Sequence, residues 1–135
     1  MPYRIHVVKT NDFIKLDGQG HLDVNKSHDV LARLAKSCVE QGVNCALLDV
    51  RDVTSSLKLT ELLTLAKAFP EMGFRDKHRL AVLHRYGGGE RAELFAMFAS
   101  DRGWNVHAFD DYEEAIAWFG SEFPIDQPAA RNDVS

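Results

Sequence analysis

An apolar run that does not alternate with polar residues, Cys45–Leu48, constrains the fold of this chain more than any other stretch. It ends in Asp49, and a polar segment, Arg51–Ser56, precedes a helical pattern that begins near Leu59. Strands that are covered on both faces have continuous apolar runs, because neither face meets water. The stretch therefore predicts a buried central strand, Cys45–Val50, followed by a loop and a helix N-terminus, where ligands and partners dock on open α/β sheets.

Apolar periodicity elsewhere in the chain predicts a regular succession of strands and helices. The predicted strands are Tyr3–Lys9, Phe13–Leu16, Cys45–Val50, Arg79–His84 and Trp104–Phe109. The predicted helices are Ser27–Gln41, Leu59–Phe69, Glu90–Arg102 and a last helix capped by Asp110 or Asp111. The first two strands form an antiparallel hairpin, and crossover connections place the later strands parallel, with helices packed on the sheet.

Glycine, proline and capping residues predict where several of these elements begin and end. Gly18 is expected to end the second strand. Ser27 or Asn25 is expected to cap the first helix, since short polar side chains accept hydrogen bonds from the first backbone amides, and Gly42 is expected to stop it. Pro70 is expected to end the second helix, and Thr60 or a neighbour to cap it.

These elements give an α/β fold with the order ββαβαβαβα, a mixed five-stranded sheet and four helices. The 135 residues predict a single domain over residues 1–123. The remaining segment, Pro124–Ser135, is polar and rich in small residues, so a disordered tail is expected there.

Composition excludes several classes of function. The net charge is −4, so a general electrostatic attraction to nucleic acid or to anionic lipid is not expected. No apolar run approaches the roughly 18 residues that a membrane span needs, and the N-terminus lacks a secretory signal, so a cytoplasmic protein is expected. Cys38 and Cys45 lie on apolar runs and are interpreted as free buried thiols.

Three stretches have the form of a known set of packing motifs: Leu47-Leu48-Asp49 on the central strand, Arg79–Leu83 on the next strand, and Phe109–Phe119, which matches the pattern F-x-x-x-x-x-A-x-x-W-L/F. Together they resemble the STAS domain, the fold of the SpoIIAA anti-sigma-factor antagonist, and more closely the bacterial SpoIIAA-like (STAS/SEC14-type) proteins. The resemblance extends from about Tyr3 to Phe119. These are packing motifs, so they imply a fold and no chemistry.

The resemblance implies a non-enzymatic module that binds a partner protein or a small apolar ligand. In the antagonists, an Asp-Ser-Ser/Thr-Gly signature opens the helix after the central strand, and a kinase phosphorylates its serine. Laid without gaps from Asp49, that signature falls on Leu57-Lys58-Leu59-Thr60 and is absent. The SpoIIAA-like group generally lacks it too. A phospho-regulated antagonist is therefore the first alternative, and an enzyme of unrecognised type is the second.

Two segments have the setting of an anion site. Ser55, Ser56 and Thr60 lie beside a helix N-terminus, where unpaired amides favour a phosphoryl group, although plain capping explains the same residues. Gly87–Gly89 follows a strand and opens a helix between two arginines, yet it matches no phosphate-loop motif. A flexible turn is the simpler interpretation of that loop.

Metal, cofactor and catalytic residues are not predicted. The six histidines fall in no H-x-x-x-H or H-E-x-x-H pattern. Asp49 and Asp52 are a pair of carboxylates at a strand end, but no nucleophile or second base accompanies them, and Asp49 is expected to bind loop amides.

A surplus of aromatic and methionine side chains on and after the second and third predicted helices is the main functional hypothesis. It comprises Phe69, Met72, Phe74, Phe95, Met97 and Phe98. Other apolar residues of these helices suffice to cover the sheet, so these six are expected to be partly exposed and to bind an apolar small molecule, a partner protein or a second copy. Core packing is the alternative. Serine at positions 72 and 74 is expected to weaken binding and to spare the fold.

Overall fold

The computed structural model of the chain describes residues 4–9, as backbone only, and residues 13–121. Within these ranges five strands form one sheet in the order β1-β2-β3-β4-β5. The strands are β1 Arg4–Lys9, β2 Ile14–Leu22, β3 Cys45–Ser55, β4 Arg79–Leu83 and β5 Asn105–Phe109. The four strands β2–β5 are parallel, and β1 pairs antiparallel with β2 at the edge.

The same ranges contain five helices. They are α1 Val24–Gln41, α2 Leu59–Lys67, α3 Phe69–Met72, α4 Glu90–Asp101 and α5 Tyr112–Phe119. Helices α1 to α4 pack on one face of the sheet and enclose the larger hydrophobic core. Helix α5 covers part of the other face with a smaller cluster around Leu47 and Ala115. The predicted α/β class is confirmed. The described residues form five helices, whereas four were predicted.

The predicted central strand is confirmed in its position. β3 is the middle strand of the sheet, and Leu47 and Leu48 are buried on opposite faces. An unalternating run forms here because both faces of β3 are covered by helices. Gly42 ends α1 in the left-handed conformation, with φ of 67°, and Asp111 caps α5 through the backbone amide of Glu114, as predicted.

Two strands are longer than predicted. β2 runs through Gly18 to Leu22, and β3 runs on to Ser55, so the polar segment that was predicted as a loop is a strand. The two extensions pair with each other, with Leu22 opposite Ser55. Sequence periodicity missed them because their stability comes from mutual backbone hydrogen bonds rather than from alternating apolar side chains.

Two helix boundaries also differ from the prediction. α1 begins at Val24 because Asp23, rather than Ser27 or Asn25, accepts a hydrogen bond from the amide of Lys26, at 2.8 Å. α2 ends at Lys67, and Pro70 lies in the first turn of α3 instead of ending α2. Proline is tolerated there because an amide of the first turn has no helical acceptor in any case.

The helix α2 has an unexpected N-terminus. Its N-cap is Lys58 and not Thr60, and the carboxylate of Glu61 accepts a hydrogen bond from the backbone amide of Lys58, at 2.9 Å. A lysine side chain has no acceptor, so this arrangement is half of a capping box. The predicted tail, Pro124–Ser135, lies outside the described residues. No helix of the described chain is long and apolar enough to cross a membrane.

Candidate ligand-binding site

A β-bulge in β3 sets the geometry of the site. Asp17 pairs with Asp49, and Gln19 pairs with Asp52, so two steps along β2 correspond to three steps along β3. The extra residue in β3 shifts the alternation of its side chains. As a result Leu48 before the bulge and Val53 after it both contact the core between the sheet and helices α1 to α4.

A cavity of about 670 Å³ lies beyond this bulge, between the sheet and the N-terminal parts of α1, α2 and α4. It forms because β2 and β3 extend past the end of β4, while no large side chain from the helices fills the space above them. Its apolar lining consists of Leu22, Leu48, Val50, Val53 and Val82 from the sheet, and of Val30, Leu31, Leu57, Leu62, Leu65, Ala92 and Phe95 from helices and a loop. This volume is in the range of sites for small molecules, and its largely apolar lining is typical of them.

The cavity is also lined by a serine. Ser27 of α1 is 8% exposed, and its hydroxyl has no hydrogen-bond partner within the described part of the chain. The one fully enclosed side-chain oxygen without a hydrogen bond in the described residues is Oδ1 of Asp17, so the Ser27 hydroxyl is open to the cavity, where water or a bound molecule can pair with it. Ser55 differs, because its Oγ accepts a hydrogen bond from the amide of Leu57, at 3.3 Å.

A buried histidine supports the loop between β4 and α4. The Nδ1 of His84 lies 2.8 Å from the carbonyl oxygen of Arg85, so this nitrogen donates the hydrogen bond. The His84 ring also packs directly on Gly89, where a Cβ would overlap the ring. Gly87 takes a left-handed φ of 74° in the same loop. Gly87 and Gly89 thus allow a tight turn against His84, which brings the N-terminus of α4 to the cavity.

Two arginines stand at the entrance of the cavity. Arg91 of α4 donates a hydrogen bond from Nε to the carbonyl oxygen of Leu57, at 2.9 Å, which joins α4 to the segment before α2. Arg85 is exposed and also lines the cavity. Glu90 is the acidic residue of this lining, so the arginines outnumber carboxylates there.

The structure does not bring the predicted anion site Ser55, Ser56 and Thr60 together. Ser55 lines the cavity, whereas Ser56 and Thr60 are exposed and outside it. The N-terminus of α2 is occupied by the contact between Lys58 and Glu61. The glycine loop, which was interpreted as a flexible turn, borders the cavity instead.

The predicted exposed surface of aromatic and methionine residues is wrong for most of its members. Phe69, Met72, Phe74 and Phe95 are buried. Met97 is 48% exposed, and Phe98 is partly buried against the core. The ring of Phe69 is central: its centroid lies 4.6 Å from that of Phe74, 5.7 Å from that of Phe95 and 5.6 Å from that of Trp104.

The burial of Met72 and Phe74 has a simple cause. The connector after Pro70 folds as α3, which packs against α1 and brings both side chains back to the core. Sequence reasoning treated the connector as a solvent-exposed loop and so missed this contact. Of the six residues, Phe95 is the one that also lines the cavity.

On the opposite face of the sheet, Asp49 has a structural role. Its Oδ1 accepts a hydrogen bond from the amide of Arg51 at 3.0 Å, and its Oδ2 lies 2.7 Å from the guanidinium of the same residue. Burial alone raises the pKa of Asp49, but the hydrogen bonds and charge of Arg51 outweigh burial, and the net pKa is lowered. Asp49 thus binds a backbone amide, but that amide belongs to β3 and not to the predicted loop, and Asp52 is exposed.

Across residues 4–9 and 13–121, no three His, Cys, Asp or Glu side chains group as metal ligands would. Ser27 and His84 line the cavity, and the sequence did not predict either as a site residue. A serine inside a helical pattern and a histidine at a strand end carry no local signal, whereas the glycine loop between two arginines did point to the entrance.

No protein-family model matches the sequence, and no curated protein is significantly similar to it. Solved structures, in contrast, are similar in fold. An uncharacterised protein of the DUF3478 family with a SpoIIAA-like fold, from Shewanella loihica, is 20% identical with a TM-score of 0.54, over 87% of this chain and 93% of that one.

Two regulatory proteins are also similar in structure. An anti-sigma factor antagonist from Mycobacterium paratuberculosis is 13% identical, with a TM-score of 0.60, over 89% of this chain and 96% of that one. The phosphorylated form of the Bacillus cell fate determinant SpoIIAA is 14% identical, with a TM-score of 0.51, over 87% and 98%. At these identities the similarity establishes the fold alone.

Proposed function

Because the chain has the SpoIIAA-like (STAS) fold, we propose that it is a non-enzymatic binding module that holds a small, largely apolar molecule in the cavity between the sheet and helices α1, α2 and α4. The observation that carries this proposal is the cavity of about 670 Å³ with a largely apolar lining, to which the Ser27 hydroxyl is open. The cavity lies at the carboxyl end of the parallel strands, where α/β proteins bind their ligands.

The position of the cavity, next to the hydrophobic core, supports the proposal that a ligand fills it. Leu48 and Val82, on adjacent central strands, form part of its base. Apolar surface left in contact with water forgoes about 25 cal/mol per Å², so a cavity over the central strands costs stability unless a ligand fills it. A molecule that covers these side chains and bonds to Ser27 recovers that free energy.

Native mass spectrometry of the protein purified from its own host tests the proposal, since it reports bound ligand and oligomeric state together. Wild type is expected to carry a small molecule. Ser27→Leu extends an isobutyl group into the cavity and is expected to remove that molecule. Ser37→Leu, on the same helix but outside the cavity, is the matched control and is expected to keep it. A wild-type protein without bound molecule, which also takes up no 1-decanol in solution, contradicts the proposal.

Phospho-regulated binding of a partner protein is the second candidate. One observation favours it: Ser56 is exposed just before α2, and a phosphorylated form is known for the similar SpoIIAA structure. The occupied N-terminus of α2 and the missing signature weigh against it. Incubation with host extract and ATP, followed by intact-mass measurement of wild type and Ser56→Ala, separates the two candidates. A phosphate on wild type that Ser56→Ala lacks supports the second one.

A further inference from the structure

We propose that the molecule in the cavity is an amphiphile with an oxyanion head group, a carboxylate or a phosphate, that binds at the entrance between Arg85, Arg91 and the first amides of α4. This inference rests on the proposed function, because it names the ligand class of the same cavity. Its apolar body covers Leu48 and Val82, and its head group stays at the solvent side.

The donors at the entrance are free to bind an anion. Arg91 uses Nε for the carbonyl of Leu57, and its two terminal nitrogens have no acceptor within the described residues. Arg85 makes no ion pair in the same part of the chain. A guanidinium presents paired donors that match both carboxylate and phosphate oxygens, so two of them at one entrance favour an oxyanion over a neutral group.

The N-terminus of α4 adds to this preference. Its N-cap is Gly89, and no side chain bonds to the first amides of the helix. Gly87 and Gly88 precede it and have no side chains of their own to cover those amides. Unpaired amides and the helix dipole together attract negative charge at such an end. The helix has 12 residues, so the alignment of its peptide dipoles is substantial.

Acidic residues near the entrance do not cancel the arginines. Glu90 lines the cavity and opposes one positive charge. Glu93 is outside the lining, and its Oε2 lies 3.8 Å from Nε2 of His84. With two guanidiniums against one lining carboxylate, the entrance is locally positive in a chain whose net charge is −4. The preference for an anion therefore belongs to this entrance and not to the protein as a whole.

Ser27 offers a bound molecule a second polar contact, apart from the arginines. It belongs to α1, whereas the arginines belong to α4 and the segment before it, so hydroxyl and guanidiniums approach the cavity from different elements. An amphiphile with one polar atom along its body satisfies the hydroxyl, while its head group meets the arginines. A purely apolar molecule displaces water from the Ser27 hydroxyl without replacing its hydrogen bond, which costs affinity.

A set of probes with one tail and different head groups tests the inference. Binding of decanoate, decyl phosphate, 1-decanol and decylamine is measured by calorimetry on the full chain. At least one of the two anions is expected to bind about tenfold or more tighter than decanol, and decylamine weakest, since the guanidiniums form charge-assisted hydrogen bonds with an oxyanion and repel an ammonium group. The anion that binds tighter, decanoate or decyl phosphate, indicates whether the head group of the ligand is a carboxylate or a phosphate.

Arginine variants identify the residues. Arg85→Gln with Arg91→Gln is expected to lower the affinity for both anions relative to decanol, so that the preference for the anions disappears. Arg33→Gln with Arg102→Gln alters two exposed arginines outside the cavity and is the charge-matched control. If decanol binds wild type as tightly as both anions, the head-group inference fails and the cavity function stands. If no probe binds, both fail.

Discussion

The two ends of the helical layer formed by α1 to α4 are packed in opposite ways. At the closed end, near the amino ends of β4 and β5, the ring of Phe69 stacks on Phe74 and contacts the tilted ring of Trp104, and no cavity large enough for a water molecule remains. At the open end, beyond the bulge of β3, the same layer leaves a cavity of about 670 Å³. Phe95 lies at the boundary, since it contacts Phe69 and also lines the cavity.

This difference between the two ends is the opposite of what the sequence suggests, since the aromatic residues were expected to form the binding surface. Large aromatic residues cluster where the fold needs volume, because such side chains fill space and bury the most apolar area. The candidate site is instead lined by aliphatic residues, with Ser27, His84 and the arginines at its polar positions. In this protein a surplus of aromatic residues marks packing, and a lack of them over the central strands marks the cavity.

The largest expected effect concerns the closed end. The double substitution Met72→Ser with Phe74→Ser is expected to lower the free energy of unfolding by about 5 kcal/mol or more, because deletion of each buried side chain costs about 2–5 kcal/mol. Urea denaturation followed by circular dichroism measures it. Met97→Ser, at an exposed position of α4, is the control and is expected to stay near wild type. A double variant of wild-type stability would restore the exposed surface that the sequence predicts.

A buried aspartate introduced at each end of the layer is expected to give a smaller difference in stability between the two ends. Leu80→Asp places a carboxylate among the packed rings, where Leu80 is 1% exposed, and is expected to cost several kcal/mol, about enough to unfold a domain of ordinary stability. Leu48 is 7% exposed and lines the cavity, so water reaches an aspartate there and the cost is expected to be lower. Thermal melts of both variants, beside Leu80→Ala and Leu48→Ala, measure the difference. Equal losses would mean that the cavity excludes water.

Small enlargements of side chains test the packing directly. Ala99→Val adds two methyl groups at the closed end, where Ala99 is fully buried, and is expected to cost about 1–3 kcal/mol through overpacking. Ser27→Val extends into the cavity and is expected to change the free energy of unfolding by less than about 0.5 kcal/mol. Chemical denaturation of ligand-free protein checks the pair. A larger cost for Ser27→Val would show that the open end closes in solution.

The smallest effect is a pH dependence at the closed end. Burial, then the charges of Lys77 and Arg75, lower the pKa of His78, whose Nδ1 accepts a hydrogen bond from the amide of Arg75, at 3.0 Å. The unfolded state binds the proton more readily, so this contribution to stability is complete above about pH 6.5 and is lost as the pH falls through the lowered pKa.

Chemical denaturation at several values between about pH 7.5 and pH 5 tests this dependence of stability on the protonation of His78. His78→Gln is expected to flatten the fall in stability, whereas His107→Gln, at an exposed position of β5, is expected to keep the wild-type slope. Parallel slopes for wild type and His78→Gln would show that another group titrates.

The interior strands and the capping residues were largely predictable. The unalternating run at Cys45–Leu48 predicts the central strand, and Gly42 and Asp111 predict a helix end and a helix start, because each signal is local. The extensions of β2 and β3 were not predictable. They rest on pairing between residues that lie more than 30 positions apart, such as Gly20 and Val53. Helix α3 was missed because Pro70 was taken as a stop signal.

The sequence by itself determined the α/β class, the buried central strand and the glycine loop between two arginines, since periodicity and turn chemistry act over a few residues. Only the tertiary structure decided where space remains. The bulge in β3, the fold of α3 back onto α1 and the turn of His84 against Gly89 are contacts between distant segments. They fill one end of the layer with rings and leave the other open, because a cavity is a property of volumes that meet in three dimensions and not of any one segment.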